Sequence, residues 1–411
     1  MSASTLNILV IGSAWPASAS GQMMQRLDSF LACGWQVTFS SPAVVGEHRI
    51  DLAARGIAEQ VIAADDSNFD TFVAGLAPDV VLFDRFAMEE RFAWRVELHC
   101  PDALRVLDAP YLQSLRDARE VLLRRRLTLG LDPNDFRELF ATSGSDLYRQ
   151  MAPTGLALRE VAAIHRSDLS LIASDVEINL LVNGFGVPPD LLHWCPLMLQ
   201  APDTAPLPFA AREHIVSFVD FNQAESRDAL LWMKHNIWPM IRRRLPEAQL
   251  HIHDAAGSAK AAALNESDGG FLVLDQADDV REVSAKARIC LAPLRIGAGL
   301  KAGLADAMLA GTPSVTTPLG AEAMHGALPW PGLVSGTAEG LAEAAARLYS
   351  DEARWQQAQR EARQVLDARY DKRWHGQALA ERIEQTLAEL ADQRLYNFTG
   401  AMLRQQRHSR T

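Results

Sequence analysis

Cysteine is scarce. Cys33, Cys100, Cys195 and Cys290 are the only four in 411 residues, far apart, with no C-x-x-C pair and no histidine cluster beside them. That spacing argues against a zinc site or a disulfide framework and predicts buried thiols in a reducing compartment. A basic excess is also lacking: the formal net charge is −11, so bulk charge draws no nucleic acid and none is expected as a partner. No apolar run approaches the roughly 18 residues of a membrane span. Met1–Asn7 carries no basic residue, and the apolar run Ile8–Ile11 is too short for a secretory signal. The expectation is a cytoplasmic protein. Internal repeats and low-complexity tracts are absent. So are the Walker pattern G-x-x-x-x-G-K-[ST] and a completed G-x-G-x-x-G after the first strand.

What is present is ordinary globular composition, 48 % hydrophobic and 22 % charged, over a length that calls for two domains. Short apolar runs alternate with helical spacing. Ile8–Ile11 precedes a small-residue loop, Ser13–Gly21, and then Met23, Met24, Leu27, Phe30 and Leu31 at helical intervals. Further strands are predicted at 36–40, 79–83, 103–107 and 169–173, then at 215–219, 249–253, 270–274, 288–293 and 314–317. This alternation implies parallel sheets covered on both faces. Pro196, Pro202, Pro206 and Pro208 break it. The predicted organisation is an N-terminal domain over 1–200, a linker over 201–212, a second domain over 213–370 and a helical segment over 371–411, which lies against one domain or the other. Residues 112–140 crowd Arg116, Arg119, Arg124, Arg125 and Arg126 among leucines. That pattern suits a solvated helix face or peripheral contact with an anionic membrane.

The most informative stretch runs from Ala292 to Thr317. An apolar strand ends at Pro293, a loop with Gly297 and Gly299 opens a helix near Lys301, and Gly311 closes it. Unpaired amides at a helix N-terminus, glycines that admit a phosphate to the backbone, and the cations Arg295 and Lys301 together favour an anion. Asp306, one to two turns into the helix, is placed to accept ribose hydroxyls. An ordinary glycine turn with a surface lysine shares the same spacing.

This stretch resembles the donor-binding region of the retaining family 4, or group 1, glycosyltransferases of GT-B fold. Ile8–Gly34, Ala229–His253 and the loop Gly320-Ala-Glu-Ala-Met324 fit the same family, and the similarity spans roughly residues 6–375. The resemblance implies two Rossmann-like α/β domains with parallel sheets facing each other across a cleft. It implies transfer of a sugar from a nucleoside diphosphate sugar to an acceptor such as a glycan, lipid, protein or metabolite, with no metal or other cofactor. Lys301 is then the diphosphate cation. Asp306 stands where the second of two family glutamates belongs, and Ala298 stands where the first belongs. Arg295, Gly297, Ala298, Gly299, Leu300, Gly320, Ala321, Glu322 and Asn222 make up the donor side. Asp220 and Asp254 occupy positions where the family usually has glycine. Those departures keep open a non-catalytic binding or scaffold role on the same fold.

On the acceptor side, Phe83-Asp-Arg-Phe-Ala-Met-Glu-Glu90 follows a buried strand at the sheet end where sites sit. Asp84, as a catalytic residue, and Arg85, Glu89 and Asp108 are the candidates there, with Ser20 and Gly21 from the first loop. A salt-bridged helix start is the alternative for the 84–90 cluster.

Overall fold

The computed structural model describes residues 5–408 except 20, 47, 48, 131 and 203. The chain divides into two compact units. The first comprises 1–114, 148–198 and 372–411, and the second 115–147 and 199–371. Residues 115–147, expected with the N-terminal domain, thus pack in the second unit, and the C-terminal helices return to the first. Leu123 and Phe136 explain the first difference, since both are buried in the core of the second unit. Leu379, Ile383 and Leu390 explain the other, because they enter the core of the first.

The first unit holds a seven-stranded, all-parallel sheet: β1 (Asn7–Ile11), β2 (Gln36–Ser41), β3 (Ala58–Val61), β4 (Val80–Asp84), β5 (Leu104–Ala109), β6 (Leu169–Ile172) and β7 (Leu192–Trp194), in the order β3-β2-β1-β4-β5-β6-β7. The second holds a six-stranded parallel sheet: β8 (Glu213–Val219), β9 (Leu250–Asp254), β10 (Phe271–Leu274), β11 (Ala287–Ala292), β12 (Ser314–Thr316) and β13 (Gly332–Val334), in the order β10-β9-β8-β11-β12-β13. Central strands such as β1 and β4 are buried along nearly their whole length, as a parallel sheet covered by helices requires. Strand order reverses between β1 and β4 in one sheet and between β8 and β11 in the other. Such reversals open crevices at the carboxyl ends of the strands, where ligands of doubly wound folds bind.

All four cysteines are free thiols. Cys195 and Cys290 are buried, and burial pushes each up to about 12. Cys33, expected inside, is exposed just beyond the Gln22–Ala32 helix. Among the described residues no helix is long and apolar enough to cross a membrane.

Candidate active site

In the first unit, polar groups gather where β1, β4 and β5 end. Asp84 closes β4, and Ser13, just past β1, donates its backbone N–H (3.0 Å) and its hydroxyl to Asp84 Oδ2. Arg85 follows at φ +69°, a left-handed conformation that a side chain rarely adopts. Its guanidinium lies 5.3 Å from the Tyr111 ring centre, and Nη1 reaches the Tyr111 hydroxyl at 3.3 Å. Asp108 stands opposite Asp84 in the β4–β5 register and is buried. Its nearest cation is the equally buried Arg26, 3.9 Å away, whose Nη atoms are held by the Pro196 and Cys195 carbonyls. Among the described residues Asp108 Oδ1 has no hydrogen-bond partner. Burial pushes the Asp108 carboxyl up to about 6; Arg26 opposes the rise and Asp84 adds to it. A shallow pocket beside this cluster is lined by Arg85, Phe86, Tyr111, Gln113 and Glu160, among others.

Two acceptor-side expectations come out differently. Glu89 is buried and bonded bidentately to Arg166, at 2.8 and 2.5 Å, on the second turn of the Arg85–His99 helix. It fastens that helix to the Gly155–Arg166 helix, because a buried carboxylate needs a paired cation. Gly21 caps the Gln22–Ala32 helix and bonds back to the Ser18 carbonyl at 3.1 Å. Ser20 lies outside the described residues.

In the second unit the glycine loop sits at the carboxyl end of β11, beside the reversal point. Gly297 (φ +149°) and Gly299 (φ +64°) adopt conformations that favour glycine. Lys301 caps the Ala302–Leu309 helix, and its Nζ donates to the Gly299 carbonyl at 2.6 Å. The lysine side chain therefore folds back over the turn; a Cβ on Gly297 would lie 4.0 Å from Lys301 Cε. Ala298 and Leu300 are partly buried apolar members of the loop. The Leu304 and Ala305 N–H groups bond the Lys301 carbonyl, so the amides of Ala302 and Gly303 are the ones left without an intrahelical acceptor at the positive end of the dipole. Asp306 lies on the next turn, half-buried, paired to Arg281 at 3.2 Å. Burial raises its carboxyl above the ordinary value, against the pull of Arg281.

The neighbouring loop after β12 is equally fixed. Thr317 caps the Pro318–Ala321 turn of helix through the Gly320 N–H and donates its hydroxyl to the Leu294 carbonyl. Gly320 is closely confined, because a Cβ there would sit 1.9 Å from Thr316 Oγ1. Glu322 follows Ala321 and pairs with Arg119 at 2.7 Å. After β8, Asp220 accepts the Asn222 N–H at 3.0 Å. Asp254 is buried and accepts the N–H groups of Phe221, Ala256 and Ser258. Where the family usually has glycine, Asp254 thus shapes the loops beside the reversal point.

Arg295, expected on the donor side, is engaged within the second unit. Its guanidinium bonds Asp228 bidentately, at 2.9 and 2.7 Å, and lies 4.6 Å from the ring centres of both Phe136 and Trp232. A cation so paired and stacked holds the fold together. The basic 112–140 segment also differs from an open basic face. Arg116 pairs with Asp117, Arg124 with Glu120, Arg126 with Glu138 and Arg119 with Glu322, while Leu123 is buried. Sequence patterning carried no sign of the Arg119, Asp228 and Ser13 contacts, each made between distant segments. Among the described residues no group of three His, Cys, Asp or Glu side chains is disposed to hold a metal ion.

Residues 213–351 match the family described as glycosyl transferases group 1. No curated protein matches the sequence. Several solved structures share the fold. HepE from Anabaena, solved with UDP and glucose, is 13 % identical with a TM-score of 0.65, over 92 % of this chain and 99 % of that one. Sucrose-phosphate synthase from Thermosynechococcus elongatus is 14 % identical with a TM-score of 0.66, over 93 % and 99 %. A glycosyltransferase from Rickettsia africae is 11 % identical with a TM-score of 0.63, over 93 % and 99 %.

Proposed function

We propose that this chain, which shares the GT-B fold and matches the group 1 glycosyl transferases over residues 213–351, is a glycosyltransferase that transfers a sugar from a nucleoside diphosphate sugar with retention of configuration. One observation carries the donor reading. The glycine turn and Lys301 stand at the carboxyl end of β11, next to the reversal of strand order and inside the segment that matches the family. Departure of the nucleoside diphosphate leaves growing negative charge on the pyrophosphate. The helix amides stabilise it together with the Lys301 ammonium, once that ammonium exchanges the Gly299 carbonyl for a phosphate oxygen. In a retaining transfer of this kind the departing phosphate takes the acceptor proton, and no dedicated base is required. HepE binds UDP and UDP-glucose, which makes UDP the first nucleotide to test. Asp306 is the carboxylate nearest in role to a ribose ligand, provided it exchanges Arg281 for hydroxyl hydrogens. Asp84, held by Ser13 and flanked by Arg85, orients the acceptor hydroxyl.

The test is a thermal-shift screen with UDP, GDP and ADP, followed by hydrolysis and transfer assays with sugars on the best base. Lys301→Ala is expected to cut turnover by roughly ten- to thousand-fold, the usual cost of losing one charge-stabilising donor. Wild-type rate and affinity in that variant would refute the role of Lys301.

A further inference from the structure

The donor reading, on which this inference rests, requires more positive charge than Lys301 supplies. A nucleoside diphosphate carries two to three negative charges, and Arg295 is tied to Asp228. We propose that Arg119 is the second cationic ligand of the donor diphosphate, presented to it by Glu322. The residue belongs to the Gln113–Thr128 helix, 178 positions before the glycine turn in sequence. Its Nη1 donates to the Gly297 carbonyl at 2.8 Å and its Nη2 to Glu322 at 2.7 Å. The guanidinium therefore already lies against the turn proposed to hold the diphosphate.

Three features suit it to that task. First, its side chain is 10 % exposed, and a charge-assisted hydrogen bond in so dry a place is stronger than one in water. Second, a guanidinium has five N–H donors in a rigid fork, matched to phosphate oxygens. The Gly297 and Glu322 bonds engage two of them. Third, Glu322 is a firm anchor. The backbone beyond it is pinned by Arg369 Nη2 on the Ala323 carbonyl (3.1 Å) and by the Tyr370 hydroxyl on the Met324 carbonyl (2.7 Å). Ala323 itself is held at φ +62°, a strained conformation for a residue with a side chain. Met324 sulfur accepts the Lys301 N–H at 3.3 Å. The same short loop thus steadies both cations, Arg119 through Glu322 and Lys301 through Met324.

A phosphate ligand and a mere clamp on the loop differ in one measurable respect. Loss of a phosphate ligand weakens binding according to the phosphates present and leaves the nucleotide-free turn as ordered as before, whereas loss of a clamp on Gly297 also loosens that turn, which hydrogen exchange of the 297–303 amides in the nucleotide-free protein reads. The experiment is isothermal titration of wild type, Arg119→Ala and the charge-balanced double variant Arg119→Met with Glu322→Gln. The probes are whichever of UDP, GDP and ADP the wild type binds, with the matching monophosphate and nucleoside. We expect Arg119→Ala to bind the diphosphate about 10- to 100-fold more weakly, the range for one charge-assisted hydrogen bond. The monophosphate should suffer less and the nucleoside not at all. The double variant, which leaves no unpaired carboxylate, should show the same gradation if the single one fails to fold. Equal losses for all three probes, no loss, or a graded loss accompanied by faster exchange of the 297–303 amides in the nucleotide-free protein would overturn the proposal while leaving the donor site intact. A wild type that binds none of the three diphosphates would instead overturn the donor reading itself.

Discussion

Arg295 offers the sharpest contrast between a cation that binds ligand and one that holds a fold, and Arg295→Met separates the two. The arginine side chain is 8 % exposed and its partner Asp228 18 %. Removing one member of a buried pair leaves the other charge uncompensated, at a cost of about 3–5 kcal/mol. The partial exposure of Asp228 favours the lower end, and the lost stacking on Phe136 and Trp232 adds about 0.5–1 kcal/mol. A total near 3.5–4 kcal/mol follows. In a unit of roughly 200 residues, each kcal/mol lowers Tm by about 2–4 °C. The second unit of Arg295→Met should therefore melt some 7–16 °C lower by differential scanning calorimetry. Combining it with Asp228→Leu should recover at least about 2 kcal/mol, the coupling expected of two charges in direct contact. Nucleoside diphosphate affinity, measured well below the transition, should change less than about threefold. An unchanged Tm with affinity weakened tenfold or more would refute this account and return Arg295 to the phosphate.

Two other substitutions test the site geometry. Asp108 titrates near 3.8 when unfolded and at about 6 when folded. As pH rises from about 4 to about 6 the unfolded chain gives up this proton and the folded chain retains it, so stability falls by up to about 3 kcal/mol. Asp108→Asn should remove that slope from denaturant titrations across the window, and parallel curves for the two proteins would contradict the assignment. Gly320→Ala places a methyl 1.9 Å from Thr316 Oγ1 and should cost about 1–3 kcal/mol by overpacking. Adding Thr316→Ala should relieve part of that loss, and a double variant no more stable than the single would show that the clash is not the cause.

The interior of the fold was legible in the sequence. Ile8–Ile11, 79–83 and 215–219 are apolar because central parallel strands are buried on both faces. Three of the four edge strands were not legible. Ala58–Val61 is largely exposed, and Leu192–Trp194 and Gly332–Val334 have three residues each, so none carries a continuous apolar run. The glycine turn and its lysine were legible because turn, cation and helix start are contiguous. The fates of the arginines were not, since Arg119 and Arg295 look alike in sequence and differ only in what distant segments bring to them. Phe136 is the same kind of case: it packs edge-on against Trp232 at 5.2 Å, and its N–H bonds the Gly336 carbonyl.

The dispersal of the second unit along the chain limits how it can be borrowed. Another transferase that received only residues 213–351, or even 199–371, of this chain in place of its own corresponding part would carry the glycine turn and Lys301. It would leave the host's own 115–147 stretch to fill the places of Leu123 and Phe136 in the core and of Asn134, whose carbonyl accepts the Ala338 N–H. Grafts meant to change donor preference must therefore be cut in two pieces, and the shorter one decides whether the longer one folds.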